Sequence, residues 1–98
     1  MTNRQSLYRV IETKRYRKDL KRIQKRGFRI STLDAVINTL VAGETLPDRF
    51  RVHKLTGNYA GYEECHIEPD WLLIYRKEKD KLILLLTRTG SHSDLFDL

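Results

Sequence analysis

Trp71-Leu72-Leu73-Ile74-Tyr75 and Leu82-Ile83-Leu84-Leu85-Leu86 are two apolar runs separated by a few charged residues. Both are too short for a buried helix and apolar at nearly every position, as strands covered on both faces are. With Lys77–Lys81 as the turn, Trp71–Arg76 and Leu82–Arg88 become antiparallel neighbours. Two further strand candidates precede them, Arg51–Leu55 and Tyr62–Glu68, linked by turns at Thr56-Gly57-Asn58 and Glu68-Pro69-Asp70. Before Leu46-Pro47-Asp48 the period is helical. Thr13 caps a predicted helix that runs to about Arg26, ends at Gly27 and buries Tyr16, Leu20 and Ile23. Ser31, with Asp34 three residues on, opens a second helix whose apolar face is Leu33, Val36, Ile37, Leu40 and Val41, closed by Gly43. Leu7–Glu12 alternates apolar with polar residues and reads as a short first strand. The expected fold is α+β: an N-terminal strand, then two helices packed on one face of a mainly antiparallel sheet.

Ninety-eight residues allow one domain, residues 1–98, and 40% apolar composition is enough for a core. No apolar run is long enough to span a bilayer, and Met1–Gln5 does not begin a secretory signal, so no membrane partner is expected. A single cysteine, Cys65, excludes an internal disulfide and makes a reducing cytoplasm the expected compartment. Nineteen Lys and Arg against thirteen Asp and Glu give a net charge of +6, which favours a polyanionic partner.

That charge is concentrated. Lys14, Arg15, Arg17, Lys18, Lys21, Arg22, Lys25, Arg26 and Arg29 crowd the first helix and its exit, with Asp19 the only acid among them. Like charges at i and i+4, as at Lys14/Lys18 and Lys21/Lys25, weaken an isolated helix, whereas a merely solvated face interleaves both signs. The stripe Lys14, Lys18, Lys21 and Lys25 is a candidate phosphate-backbone contact. The plainer alternative is a basic face that only keeps the protein in solution.

Chemistry gathers in the second half. All three histidines, His53, His66 and His92, lie in the strands or the tail after them. Strand alternation places Tyr62, Glu64, His66 and Glu68 on one face and Glu63, Cys65 and Ile67 on the other. Cys65 and Ile67 suit the core, so His66 points away from the helices. The same alternation puts Leu82, Leu84, Leu86 and Arg88 on a common face. Antiparallel pairing can gather the histidines on the uncovered side of the sheet. Such a cluster with Asp70 and Arg88 suits cleavage of an RNA backbone, in which the 2′-hydroxyl loses a proton, the 5′-oxygen gains one and the phosphorane needs a cation. A metal site built from His53, His66, His92, Asp70 and Cys65 is the competing reading. None of the tight zinc spacings is present, so neither a metal nor another cofactor is expected. Trp71 and Phe96 are either packing residues or platforms for bases.

Three segments together, His53-Lys54-Leu55-Thr56-Gly57, Gly61–Tyr75 and Arg88–Phe96, closely resemble the YafQ branch of the RelE/ParE toxin superfamily. The likeness is strong over residues 50–96 and is one of layout alone before that. It implies a RelE-like fold in the order β-α-α-β-β-β and a type II toxin that cuts messenger RNA in the ribosomal A site. It also implies a cognate antitoxin protein as neutralising partner. By position, the active-site set implied is His53, His66, Asp70, Arg88 and His92, with Trp71 and Phe96 shaping or stacking the codon. His92 is then the general acid, the base is His66 or Asp70, Arg88 stabilises the phosphorane and His53 holds the scissile phosphate. Glu63 and Tyr59 depart from the family pattern, in which arginine and tryptophan are frequent there. Two alternatives predict no cut message: a non-catalytic basic module that binds RNA or protein, and a gyrase-directed toxin of the same superfamily. The histidine set argues against the latter.

Overall fold

The computed structural model describes residues 6–96, so Met1–Gln5 and the reading of the chain's start lie outside it. Strand β1 (Arg9–Glu12) leads into α1 (Lys14–Lys25) and α2 (Ile30–Val41). After them come a 3-10 turn at Asp48–Phe50, β2 (His53–Lys54), a second 3-10 turn at Gly57–Tyr59, and the strands β3 (Glu63–Glu68), β4 (Trp71–Glu78) and β5 (Ile83–Gly90). A short helix, α3 (His92–Phe96), ends the described chain.

The five strands form one sheet in the order β1-β5-β4-β3-β2, antiparallel except that β1 runs parallel to β5. One face carries the main core. Tyr16 and Ile23 of α1 and Leu33, Val36 and Leu40 of α2 pack there on Cys65, Ile67, Trp71, Leu73, Tyr75, Leu84 and Leu86. The other face has a smaller cluster in which Leu72 and Ile74 meet Leu95 of α3 and the partly buried Leu55, Tyr59 and Tyr62. The α+β architecture, its initial strand and its two helices on one face agree with the sequence reading.

Local departures have local causes. Thr13 caps α1 as expected, its Oγ1 accepting from the Tyr16 N–H at 3.0 Å. Helix α2 starts at Ile30, one residue before Ser31, and no side chain caps it. The expected strand over Arg51–Leu55 shrinks to two residues because Arg51 is in the left-handed conformation (φ 47°) and breaks the extended run. Leu82 also has positive φ (53°) and lies in the turn, leaving β5 to start at Ile83.

Arg88 is the consequential difference. The β4–β5 register shifts between Ile74 and Tyr75, which pair with Arg88 and Leu86. The extra residue, Thr87, makes a bulge that turns Arg88 to the face of Ile74, opposite the one strict alternation assigns.

Candidate active site

The open face of the sheet collects all three imidazoles. His53 on β2 lies across from Glu64 on β3, and two residues along β3 on the same face is His66. Helix α3 supplies His92. Ring centroids are 6.1 Å apart for His53 and His66 and 5.9 Å for His66 and His92, so the rings form a row.

Each ring is held differently. The Asp70 Oδ1 accepts from the His92 backbone N–H at 2.9 Å and faces the ring Nδ1 at 2.7 Å. A carboxylate at Nδ1 takes its proton as a hydrogen bond and leaves Nε2 to face a substrate. Asp70 is in the tight turn between β3 and β4, and the two His92 contacts hold its carboxyl below the usual carboxylate range. The His53 Nδ1 lies 3.0 Å from the Arg51 carbonyl and its Nε2 lies 3.1 Å from Glu64 Oε1. Both nitrogens thus face acceptors, and the protonated ring donates to both. The His66 Nε2 is 3.6 Å from the same Glu64 oxygen.

Glu64, absent from the expected set, is therefore the hub of two histidines and is itself only 5% exposed. The signal was available, since alternation places it on the face of His66. Its carboxylate and the His53 and His66 rings offer three ligand atoms within 4.8 Å of one another, a donor set that fits a borderline divalent ion. Cys65 points into the core instead, where burial pushes its thiol up to about 12, so it is neither ligand nor nucleophile at neutral pH.

Helix α3 positions His92 through a reciprocal cap. The Ser91 N–H donates to Asp94 Oδ2 at 3.0 Å, and the Asp94 N–H donates to Ser91 Oγ at 3.2 Å. Gly90 (φ 150°) permits this approach, because a Cβ there would come within 2.9 Å of Asp94 Oδ2. Asp94 also accepts two hydrogen bonds from Arg26, which caps the C-terminus of α1, at 2.7 and 3.1 Å, and these hold its carboxyl far below the ordinary range.

Two expected site residues are placed otherwise. Trp71 is 1% exposed on the helix-covered face, edge-on to Phe28 at 5.0 Å, with its Nε1 donating to Thr89 Oγ1. It packs the core and cannot stack on a codon. Arg88 is 6% exposed; its Nε and one terminal nitrogen donate to Asp19 at 2.7 and 3.2 Å, and the guanidinium also hydrogen-bonds the Tyr59 side chain. Asp19 is the acid that stood out in the basic helix. Its Oδ2 also accepts from the Thr89 N–H at 3.2 Å. Phe96 does reach the surface and meets Tyr59 edge-on at 6.3 Å, while Tyr59 meets Tyr62 at 5.9 Å. This group supplies the aromatic surface that Trp71 does not. Lys14, Lys18, Lys21 and Lys25 are exposed, on the stripe of α1 opposite its buried side, and do not join the histidine row.

Known proteins share this fold and much of this sequence. The family model described as the bacterial toxin of type II toxin-antitoxin system, YafQ, matches residues 8–97. The Escherichia coli K12 protein named mRNA interferase toxin YafQ is 43% identical over 82 residues, covering 83% of this chain and 87% of that protein. The toxin in the E. coli DinJ–YafQ toxin–antitoxin crystal structure superposes with a TM-score of 0.82 at 35% identity, over 92% of this chain and 98% of that one. A copper-bound mutant toxin from Helicobacter pylori gives a TM-score of 0.85 at 38% identity, over 91% of this chain and 99% of its own.

Proposed function

The chain belongs to the YafQ family of type II toxin–antitoxin toxins, and on that premise we propose that it is an endoribonuclease that cuts messenger RNA in the ribosomal A site. The observation that carries this reading is the row of three imidazoles on the open face, one held by Asp70 and the other two beside Glu64.

His92 is the general acid: with Nδ1 held by Asp70, its Nε2 delivers a proton to the leaving 5′-oxygen. His66, the middle ring, removes the 2′-hydroxyl proton. Asp70 is a poor candidate for that task, because two His92 contacts already stabilise its charged form. His53, whose ring nitrogens face Arg51 and Glu64, acts on the scissile phosphate through its positive charge when protonated, and Arg88 adds positive charge from behind. Phe96, Tyr59 and Tyr62 receive the bases. A ribosome that presents the strand already positioned compensates for an exposed site with few binding groups. The α1 lysines supply ribosomal RNA contacts, the cytoplasm is the place of action, and an antitoxin protein is the neutralising partner, as in the DinJ–YafQ complex. The described residues hold no helix long and apolar enough to cross a membrane.

Primer extension on a translated message after brief expression tests the reading. Codon-spaced cuts, suppressed by co-expression of the antitoxin, are expected. An intact message in growth-arrested cells would overturn it.

The chemistry proposed needs no metal, yet the His53–Glu64–His66 donor set suits zinc or copper, and the H. pylori relative holds copper. His53 and His66 cannot exchange protons while their nitrogen lone pairs are engaged by an ion. Equimolar Zn²⁺ or Cu²⁺ is therefore expected to slow cleavage on ribosomes at least ten-fold, with recovery on adding a chelator selective for these ions. Loss of activity on stripping, restored by adding the metal back, would show that the metal is required.

A further inference from the structure

Beside the histidine row, on the side of the 3-10 turn Asp48–Phe50, lies a shallow cavity of about 250 Å³. Arg49, Arg51, His66, Ile67, Glu68 and Pro69 line it. His66 therefore belongs both to this cavity and to the proposed catalytic row.

Among the described residues, neither Arg49 nor Arg51 has a carboxylate within ion-pair distance, although Glu68 lines the same cavity. This sets them apart from Arg22, Arg26 and Arg88, whose charges are taken up by Asp19 and Asp94. Two arginines against one glutamate leave the cavity net positive before His66 is counted. The Arg49 side chain is also held in place, and Arg51 is fixed at its backbone. The Arg49 guanidinium lies over the Phe50 ring, 4.8 Å from its centroid, and Phe50 packs on the core. Arg51 sits in the left-handed region, where a side chain with a Cβ is strained, and its carbonyl faces the His53 Nδ1. The residue that supplies the charge thus also orients the first imidazole of the row.

We propose that this cavity is a second phosphate subsite, taking the phosphodiester one nucleotide from the bond that is cut. The guanidinium forks of Arg49 and Arg51 converge on its non-bridging oxygens and fix the register of the strand across His66. An RNA phosphate is favoured over an acidic peptide because the cavity opens onto the proposed proton-transfer residue itself, where a bound strand passes. The inference rests on the ribonuclease reading and extends it from which bond is cut to how the neighbouring nucleotide is held.

The test uses a double variant, Arg49→Gln with Arg51→Asn, since asparagine tolerates the left-handed conformation and keeps the backbone carbonyl at His53. Binding of a 2′-O-methyl RNA oligonucleotide, which cannot be cut, is followed by fluorescence anisotropy over a range of salt. Loss of one phosphate contact is expected to make the slope of log K against log salt shallower by about 0.7. On programmed ribosomes, KM should rise about ten-fold while kcat stays within about two-fold, because a contact made equally in ground and transition states was removed. Arg51→Lys, which keeps the charge and loses the fork, should recover the slope but not the full KM. An unchanged slope and KM would overturn the subsite. So would loss of antitoxin affinity with unaltered RNA binding, which would assign the cavity to an acidic segment of the antitoxin. A shallower slope in a protein whose wild type leaves messages uncut would preserve the subsite and refute the ribonuclease reading.

Discussion

His92→Ala is expected to reduce message cleavage by about 10²- to 10⁴-fold, the range for removal of a positioned general acid. Helix α3 fixes where this side chain lies: Ser91 and Asp94 cap each other around it, Gly90 admits the cap and Asp70 holds its Nδ1. Alanine at this position keeps the backbone N–H that donates to Asp70, so the cap and the fold should survive. Ribosome association should change little, because the proposed ribosomal contacts lie on the far stripe of α1. Co-sedimentation with ribosomes and single-turnover cleavage of a programmed complex separate the two quantities. Cleavage at the wild-type rate would remove His92 from the acid role. Asp70→Asn should give a smaller loss, since the ring remains and only its hold on Nδ1 is weakened.

The second large effect is on stability. Asp19→Ala should destabilise the fold by about 3–5 kcal/mol, the cost of leaving a buried charge without its partner. Asp19 is 3% exposed; it accepts from Arg88, Arg22 and the Thr89 N–H, and Arg88 is itself 6% exposed. Removing the carboxylate strands the guanidinium and a backbone donor together. Thermal unfolding should show a fall in Tm of about 15 °C or more for a domain of this size. The pair Asp19→Leu with Arg88→Met should regain most of the loss, since two apolar groups of similar volume replace a desolvated ion pair at little cost. If Asp19→Ala melts within a few degrees of wild type, the pair is far better solvated than its geometry implies.

Much of this was legible before any coordinates. The two apolar runs around Lys77–Lys81 are central strands because nothing else buries five consecutive apolar side chains in so short a span. Alternation in β3 separated Cys65 from His66 correctly because that strand runs regularly from Glu63 to His66, and Ile67, at the register shift that follows, still enters the core. Where the backbone leaves its period, the reading failed. The bulge at Thr87 moved Arg88 to the other face, and left-handed Arg51 cut β2 to two residues. Tryptophan beside a candidate active-site aspartate suggested a stacking platform, but strand parity sends Trp71 to the face opposite Leu72, into the helices. Glu64 went unnoticed because a lone glutamate in a strand usually faces water; its buried setting depends on His53 crossing over from β2. The Ser91–Asp94 cap was written in the sequence as Ser-x-x-Asp, a variant of the usual motif in which the acid is shorter by one methylene.

Strand β1 borders only β5, and the two run parallel, Arg9 opposite Ile83. During synthesis the segment around residue 9 therefore leaves the peptidyl-transferase centre long before its partner is polymerised. Until then α1 and α2 can form, but the sheet on which they rest is incomplete and α3 has not been made. The row of imidazoles is thus completed only when His92 is added, after β2 to β5 have been made.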